Sequence, residues 1–304
     1  MVRWIQLWSR LSRWTKRQGS RPLAIPNLLT EAIAEISSRL EAAGIVSFEA
    51  ESEVLLADFL QVSRGELRAL ALTGEERDLR DLEPLVERRV SREPLQHITG
   101  KAPFRSIELK VGPGVFIPRF ETELVTQIAI DYLNSLPTPG RAVDVGTGSG
   151  AIAISLSRES SATVFAIEQS EEAAEYARKN IQELALEVEL IVGDFAIELP
   201  RLQDLDVVIS NPPYIPSSAV PIDPEVRDYD PELALYSGED GLNAIRELAA
   251  CAQIPLRPGG LLVTEHADGQ SDEVRELLLS EGWRSVSVHP DNTGRLRAVS
   301  ALRK

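Results

Sequence analysis

Arg141-Ala142-Val143-Asp144-Val145 runs directly into Gly146-Thr147-Gly148-Ser149-Gly150 and then into a helical pattern. The glycines let backbone approach a ligand closely, and the helix start offers free N–H groups. Downstream, strand patterns at 141–145, 163–167, 188–192, 206–210, 260–265, 284–289 and 295–301 alternate with helical ones at about 149–158, 171–185, 240–253 and 271–281. That alternation predicts an α/β fold with a doubly wound, mostly parallel sheet. Asp291-Asn292-Thr293-Gly294 has hairpin chemistry, so the last strand is expected to be antiparallel.

The glycine spacing also satisfies the dinucleotide pattern Gly-x-Gly-x-x-Gly/Ala, with Ala151 in third place. Glu168 ends the next strand, 22 residues after Gly146, where an acid binds ribose hydroxyls. Two features favour S-adenosylmethionine over NAD. Asp144 sits inside the strand end, where it can accept from glycine-loop amides and lie near an ammonium group. Val192-Gly193-Asp194-Phe195 ends the third strand, placing an acceptor at Asp194 and a stacking ring at Phe195 for adenine.

A second motif follows the buried run Asp206-Val207-Val208-Ile209-Ser210. Asn211-Pro212-Pro213-Tyr214 cannot continue a strand, because neither proline has an N–H to donate. The turn therefore stands at a strand's C-terminal end, where open α/β sheets bind ligands. Asn211 offers a side-chain amide, Tyr214 an aromatic face, and the Pro212 carbonyl has no ladder to join. Two oxygens accepting two hydrogens, with a ring on the plane, suit a planar NH2 group.

A chain of 304 residues with 43% hydrophobic and 26% charged residues has the composition of a globular protein with room for more than one domain. The net charge of −15 argues against a broad nucleic-acid face. A single cysteine, Cys251, leaves no internal disulfide and fits a reducing compartment, so a cytoplasmic location is expected. No apolar run is long enough to span a bilayer. Residues 1–26 differ: Arg3, Arg10, Arg13, Lys16, Arg17 and Arg21 stand beside Trp4, Trp8 and Trp14 with no acid. A flexible extension, or an upstream start codon, is expected there, with a transit-like or membrane-surface segment as the alternatives.

From Asn27 the pattern becomes helical, with Ile33, Ile36 and Leu40 on one face and Ser47 placed to cap a second helix. Ser63–Glu66 and Thr73–Glu76 both match capping boxes. Residues 27–92 thus predict a small helical bundle, read as a substrate-docking domain. Residues 93–118 predict a hairpin linker, in which Ile107–Val111 turns at Gly112-Pro113-Gly114 into Val115-Phe116-Ile117. A helix should follow Pro118-Arg119-Phe120-Glu121-Thr122-Glu123, with Thr122 as its cap. Arg119 and Glu121 are candidates for the cofactor mouth, although acids at a helix start also favour the helix dipole.

Taken together, Asp144–Gly150 followed about 60 residues later by Asn211–Tyr214 resembles class I methyltransferases acting on amino or amide nitrogens. More closely, the chain resembles the peptide chain release factor N5-glutamine methyltransferases over about residues 28–304. The likeness includes Glu93–Gly100, Pro118–Glu123, Leu233–Leu242 and Gly294–Arg297. It implies a Rossmann-like methyltransferase domain at 119–304, with a seven-stranded sheet and the helical domain before it. It also implies S-adenosylmethionine as cofactor, held by Gly146, Thr147, Gly148, Ser149, Gly150 and Glu168 with Asp194 and Phe195 at the adenine. Asn211, Pro212, Pro213 and Tyr214 would hold the substrate glutamine of a Gly-Gly-Gln loop in bacterial-type release factors, with Asn211 also near the cofactor. Phe120, Glu168 and Ser237 stand where the family usually has proline, aspartate and glycine.

The expected chemistry is in-line methyl transfer to the amide nitrogen, with Asn211 and the Pro212 carbonyl each accepting one N–H. No metal, nucleic acid or membrane is needed, and a monomer is expected. His97, His266 and His289 are read as structural. The alternatives are glutamine methylation of a ribosomal protein and adenine N6 methylation, which would need a basic recognition region. An NAD-dependent oxidoreductase leaves Asn211–Tyr214 without a role. A non-catalytic adaptor leaves both motifs without one.

Overall fold

The computed structural model describes residues 24–304, so the basic segment at 1–26 lies almost wholly outside the described residues. Residues up to Leu95 and those from Gln96 onward form two compact units. The first contains α1 (Leu29–Ala42), α2 (Phe48–Leu60), α3 (Arg64–Leu72) and α4 (Glu83–Val90). Leu29, Ile36, Leu40, Leu55, Leu56, Leu67, Leu82 and Val86 are its buried apolar face. Arg39 forks onto Glu83 at 2.7 and 3.1 Å, and Arg89 pairs with Glu51 at 2.5 Å.

Capping follows the sequence at one of three expected places. Ser63 and Glu66 form a complete capping box at α3. Ser47 is the N-cap of α2 but makes no side-chain cap bond; its hydroxyl donates to Glu51 instead. Thr73 ends α3 rather than starting a helix, and its hydroxyl donates to the Leu70 carbonyl. The apolar pattern restarts only at Leu82, which leaves Thr73 too far upstream to cap α4.

The division falls within α5 (Leu95–Thr99), after which comes a two-stranded hairpin of β1 (Lys101–Phe104) and β2 (Ile107–Lys110). The turn is at Arg105-Ser106, with Arg105 at φ 50°, and not at Gly112–Gly114; Val115–Ile117 forms no strand. Gly112 and Gly114 serve another purpose. A Cβ on them would fall 2.4 Å from the Tyr176 hydroxyl and 2.1 Å from Glu172 Cδ, so that turn lies flat on the helix bearing those residues.

The remaining elements are α6 (Thr122–Ser135), β3 (Arg141–Val145), α7 (Ala151–Glu159), β4 (Thr163–Glu168), α8 (Glu171–Glu183), β5 (Val188–Val192), α9 (Phe195–Glu198), β6 (Leu205–Ser210), α10 (Pro224–Tyr229), α11 (Asn243–Ala252), β7 (Leu256–Glu265), α12 (Ser271–Ser280), β8 (Arg284–Pro290) and β9 (Leu296–Leu302). The seven strands run β5-β4-β3-β6-β7-β9-β8, and β9 alone runs opposite in direction to the other six. This is a doubly wound α/β sheet. β6 is buried at every residue, Asp206 and Ser210 included, and its apolar run Val207–Ile209 suits a central strand covered on both faces. One face packs Val143, Val145, Phe165, Ile167 and Val208 with Ile245, Leu248, Val274 and Leu278 of α11 and α12. The other packs Ala142, Val164, Val207 and Ile209 with Val125, Ala129 and Leu133 of α6 and Ile152 and Leu156 of α7. Asn180 on α8 ties β2 to the glycine loop: its Oδ1 accepts from Lys110 N–H, and its Nδ2 donates to the Lys110 and Ser149 carbonyls.

Candidate active site

Strand register alone lines up the site. Val145 pairs with Ile167 on one side and Ser210 on the other, and Ser210 pairs with Thr264. The next residue on each strand is therefore Glu168, Gly146, Asn211 or Glu265, in one row along the sheet's C-terminal edge. Strand order reverses between β3 and β6, which opens the crevice where such sheets bind ligands. A cavity of about 540 Å3 lies there, within the usual size range of small-molecule sites.

The glycine loop hangs from β4. Gly146 and Thr147 donate their N–H groups to the Ile167 carbonyl at 2.8 and 3.0 Å. Gly148, at φ 56°, turns its N–H onto Glu168 Oε2 at 2.8 Å, while Glu168 Oε1 accepts from Ser170 N–H at 2.8 Å. A side chain at Gly148 would strain that turn. Thr147 holds Asp144, donating its hydroxyl to Oδ2 at 2.6 Å, and Ala153 N–H donates to the same oxygen at 3.1 Å. Asp144 is wholly buried and its Oδ1 has no hydrogen-bond partner among the described residues. Burial pushes its pKa up to about 7 against those two bonds.

Asn211, Pro212, Pro213 and Tyr214 line the same cavity as Gly146–Ser149 and Glu168. Asn211 donates from Nδ2 to Thr122 Oγ1 at 3.0 Å. Tyr214 donates its hydroxyl to Glu265 Oε1 at 3.3 Å, and burial together with that carboxylate pushes the Tyr214 pKa up. The Tyr214 carbonyl accepts from Gln270 Nε2 at 3.1 Å. Gly241 makes room for that clamp: it sits at φ 79°, and a Cβ on it would stand 2.3 Å from the Tyr214 oxygen. Among the described residues no hydrogen bond reaches the Pro212 carbonyl. Glu265 is only 2% exposed, and burial raises its pKa to about 7.

Two chain segments cover the cavity, one with Phe116 and Arg119 and the other with Val226, Pro231, Leu233 and Tyr236. Arg119 joins them. Its guanidinium lies 5.0 Å from the Phe116 ring centroid and donates at 2.7 Å to Asp230, whose side chain is fully covered. Burial raises the Asp230 pKa to about 6 against the pull of Arg119. Ser237 also lines the cavity, and its hydroxyl accepts from Ala244 N–H at 2.7 Å at the start of α11.

The structure thus brings together Gly146, Thr147, Gly148, Ser149, Glu168, Phe195, Asn211, Pro212, Pro213, Tyr214 and Arg119 around one cavity. Gly150 is the N-cap of α7 behind the loop, and Asp144 is buried beneath it. Asp194 is exposed and caps α9 by accepting from Ala196 N–H at 2.9 Å. Glu121 is exposed at the start of α6 and does not line the cavity. Thr122 is not the cap of α6: it is the first helical residue, buried, with its hydroxyl on Asn211. Sequence reading missed Glu265 and Gln270, and it singled out the stretches holding Gly241 and Asp230 without giving either residue a role. The one available signal was an acid at the end of an apolar strand, at Glu265. Among the described residues no cluster of His, Cys, Asp or Glu is placed to hold a metal ion, and no helix is long and apolar enough to cross a membrane.

Residues 31–100 match the family described as PrmC N-terminal domain, and residues 106–223 match the methyltransferase small domain. A protein named release factor glutamine methyltransferase from Streptomyces coelicolor is 45% identical over 280 residues, 90% of this chain and 98% of its own length. One of the same name from Deinococcus radiodurans is 38% identical over 287 residues, covering 92% and 99%. A crystal structure titled protein-(glutamine-N5) methyltransferase (release factor-specific) from Alicyclobacillus acidocaldarius is 29% identical, with 64% of this chain and 99% of that one covered and a TM-score of 0.41. With near-complete coverage at these identities, and with both sequence motifs meeting at one cavity, the chain belongs to the release factor glutamine methyltransferase family.

Proposed function

We propose that this enzyme transfers a methyl group from S-adenosylmethionine to the side-chain nitrogen of the Gly-Gly-Gln glutamine in bacterial-type release factors, acting as a cytoplasmic monomer. The observation that carries the reading is the shared cavity. Asn211 and the Pro212 carbonyl stand one strand away from the glycine loop, on the same sheet edge.

The residues present fit the cofactor. Glu168 keeps lone pairs beyond the two it uses on backbone N–H groups, enough for ribose hydroxyls. Phe195 lines the cavity at the end of β5, where an adenine would lie, and the first turn of α7 directs N–H groups toward the loop. When bound, S-adenosylmethionine supplies an electrophilic methyl on sulfonium sulfur.

The protein's task is to prepare a poor nucleophile, because an amide lone pair is delocalised into its carbonyl. Asn211 Oδ1 accepts one substrate N–H and the Pro212 carbonyl the other, which fixes the nitrogen's direction. Both oxygens gain strength as positive charge grows on that nitrogen, so they favour the transition state over the ground state. Orientation of this kind is worth several of the roughly 7–11 kcal/mol that positioning can supply. The spare proton leaves the nitrogen to water after transfer. Tyr214, anchored at its hydroxyl and its carbonyl, presents a fixed ring to the amide plane.

The test is transfer of labelled methyl to purified release factor, wild type and with the Gly-Gly-Gln glutamine changed to alanine. Label on the wild type alone supports reaction and acceptor together; no label on either, with cofactor bound, overturns the reading. Asn211→Ala should lower turnover about 100- to 1000-fold while cofactor affinity stays within about threefold. Equal losses in both would remove the assigned role of Asn211.

A further inference from the structure

An asparagine amide presents an acceptor at one end and donors at the other. In the reading above Asn211 works only with its oxygen toward the substrate. If the side chain turned over, two N–H donors would face the two N–H donors of the incoming amide. Something must fix which end faces the cavity, and the flanking prolines hold only the backbone.

We propose that Thr122 and Glu265 are positioning residues that fix the polarity of the Asn211 amide. This inference rests on the proposed glutamine methylation and deepens it. Thr122 Oγ1 receives Asn211 Nδ2 at 3.0 Å, which commits the nitrogen end of the amide and leaves Oδ1 as the end free to accept from the substrate. Thr122 is itself immobile: it is buried in the first turn of α6, its N–H donates to the Arg119 carbonyl, and its own carbonyl accepts from the Thr126 hydroxyl.

A hydroxyl can donate as well as accept, so Thr122 alone does not set the direction. Glu265 does. It occupies the same row as Asn211, one strand further along, and is buried beside the Thr122 hydroxyl. Above about pH 7, where Glu265 is ionised, its carboxylate only accepts. Its Oε1 takes the Tyr214 hydroxyl, and the Thr122 hydroxyl also bonds to this carboxylate, which holds the Thr122 proton. With that proton committed, Thr122 faces Asn211 as an acceptor. Glu265 thereby orients both ends of the Asn211–Tyr214 turn without touching the substrate.

The test uses the full chain, labelled S-adenosylmethionine and a release factor. Thr122→Val keeps the shape and removes the acceptor; Thr122→Ser keeps the hydroxyl. The expected result is a kcat about 10- to 100-fold lower for Thr122→Val. Cofactor affinity and the release-factor KM should stay within about threefold of wild type. Thr122→Ser should return kcat to within about threefold. Glu265→Gln, which brings a competing N–H donor to Thr122, should lower kcat by a similar factor. A Thr122→Val enzyme as fast as wild type overturns the inference while leaving the functional reading intact. So does a Thr122→Ser enzyme as slow as Thr122→Val. An unlabelled release factor with wild-type enzyme overturns the functional reading, and this inference with it.

Discussion

Glu265 carries an opposition between stability and turnover that a single isosteric substitution exposes. Its carboxyl sits almost fully out of water, and burial raises its pKa from 4.5 to about 7. The folded protein therefore holds this proton to a higher pH than the unfolded chain does. Stability is lost as pH rises from about 4.5 through about 7, by roughly 1.4 kcal/mol per unit of difference, or about 3 kcal/mol in all. Glu265→Gln has nothing to titrate. The variant should be near wild type at pH 4.5 and gain on it by about 2–3 kcal/mol by pH 8. In urea unfolding followed by circular dichroism this is a midpoint difference of about 1 M that opens with pH. Turnover should fall in the same variant. A midpoint difference that stays constant between pH 4.5 and 8.5 would refute the argument, because it would mean that the Glu265 proton is held no differently in the two states.

Two further outcomes follow from the clamps around the cavity. Gly241→Ala places a methyl group 2.3 Å from the Tyr214 carbonyl at a φ of 79°, so it should cost about 1–3 kcal/mol and displace the Gln270 clamp; an unchanged melting temperature and turnover would contradict this. Arg119→Ala strips the partner from the covered Asp230 carboxylate, and since Arg119 is about one-third exposed the cost should be about 1–2 kcal/mol at pH 8. Asp230 protonates near pH 6, so the penalty should shrink below that pH, and an equal penalty at pH 5 and pH 8 would argue against a charged latch.

Much of this architecture was legible because its signals are local. Each buried parallel strand is a short apolar run closed by a turn, and the glycines after Val145 and the prolines after Asn211 mark strand ends by their own backbone chemistry. What escaped depends on partners distant in the chain. Glu265 reads in sequence as an ordinary acid after a strand, and only the register of β6 on β7 sets it beside Asn211. Thr122 was read as a cap because Thr before an acid-rich helix start usually is one; the helix begins a residue earlier than that reading needs, which turns the hydroxyl inward. The sequence places the hairpin turn wrongly because Arg105 adopts a left-handed conformation without glycine, while Gly112-Pro113-Gly114 forms a turn that joins no strands and serves as a thin spacer against Glu172 and Tyr176. Pro103 inside β1 further masked that strand.

The row formed by Glu168, Gly146, Asn211 and Glu265 also predicts where the chain tolerates changes of length. Each member is the first residue past a paired position, so its placement is counted off along its own strand. One residue added within β6 would carry Asn211 about 3.3 Å along the strand axis and turn every side chain between it and Asn211 to the opposite face. A residue added beyond the row, in the exposed stretch around Val220 and Ile222, meets no such count. Insertions and deletions should therefore be absorbed in the loops that cover the cavity and rejected in the strands beneath it. This architecture can vary what it admits without disturbing the spacing of the groups that act.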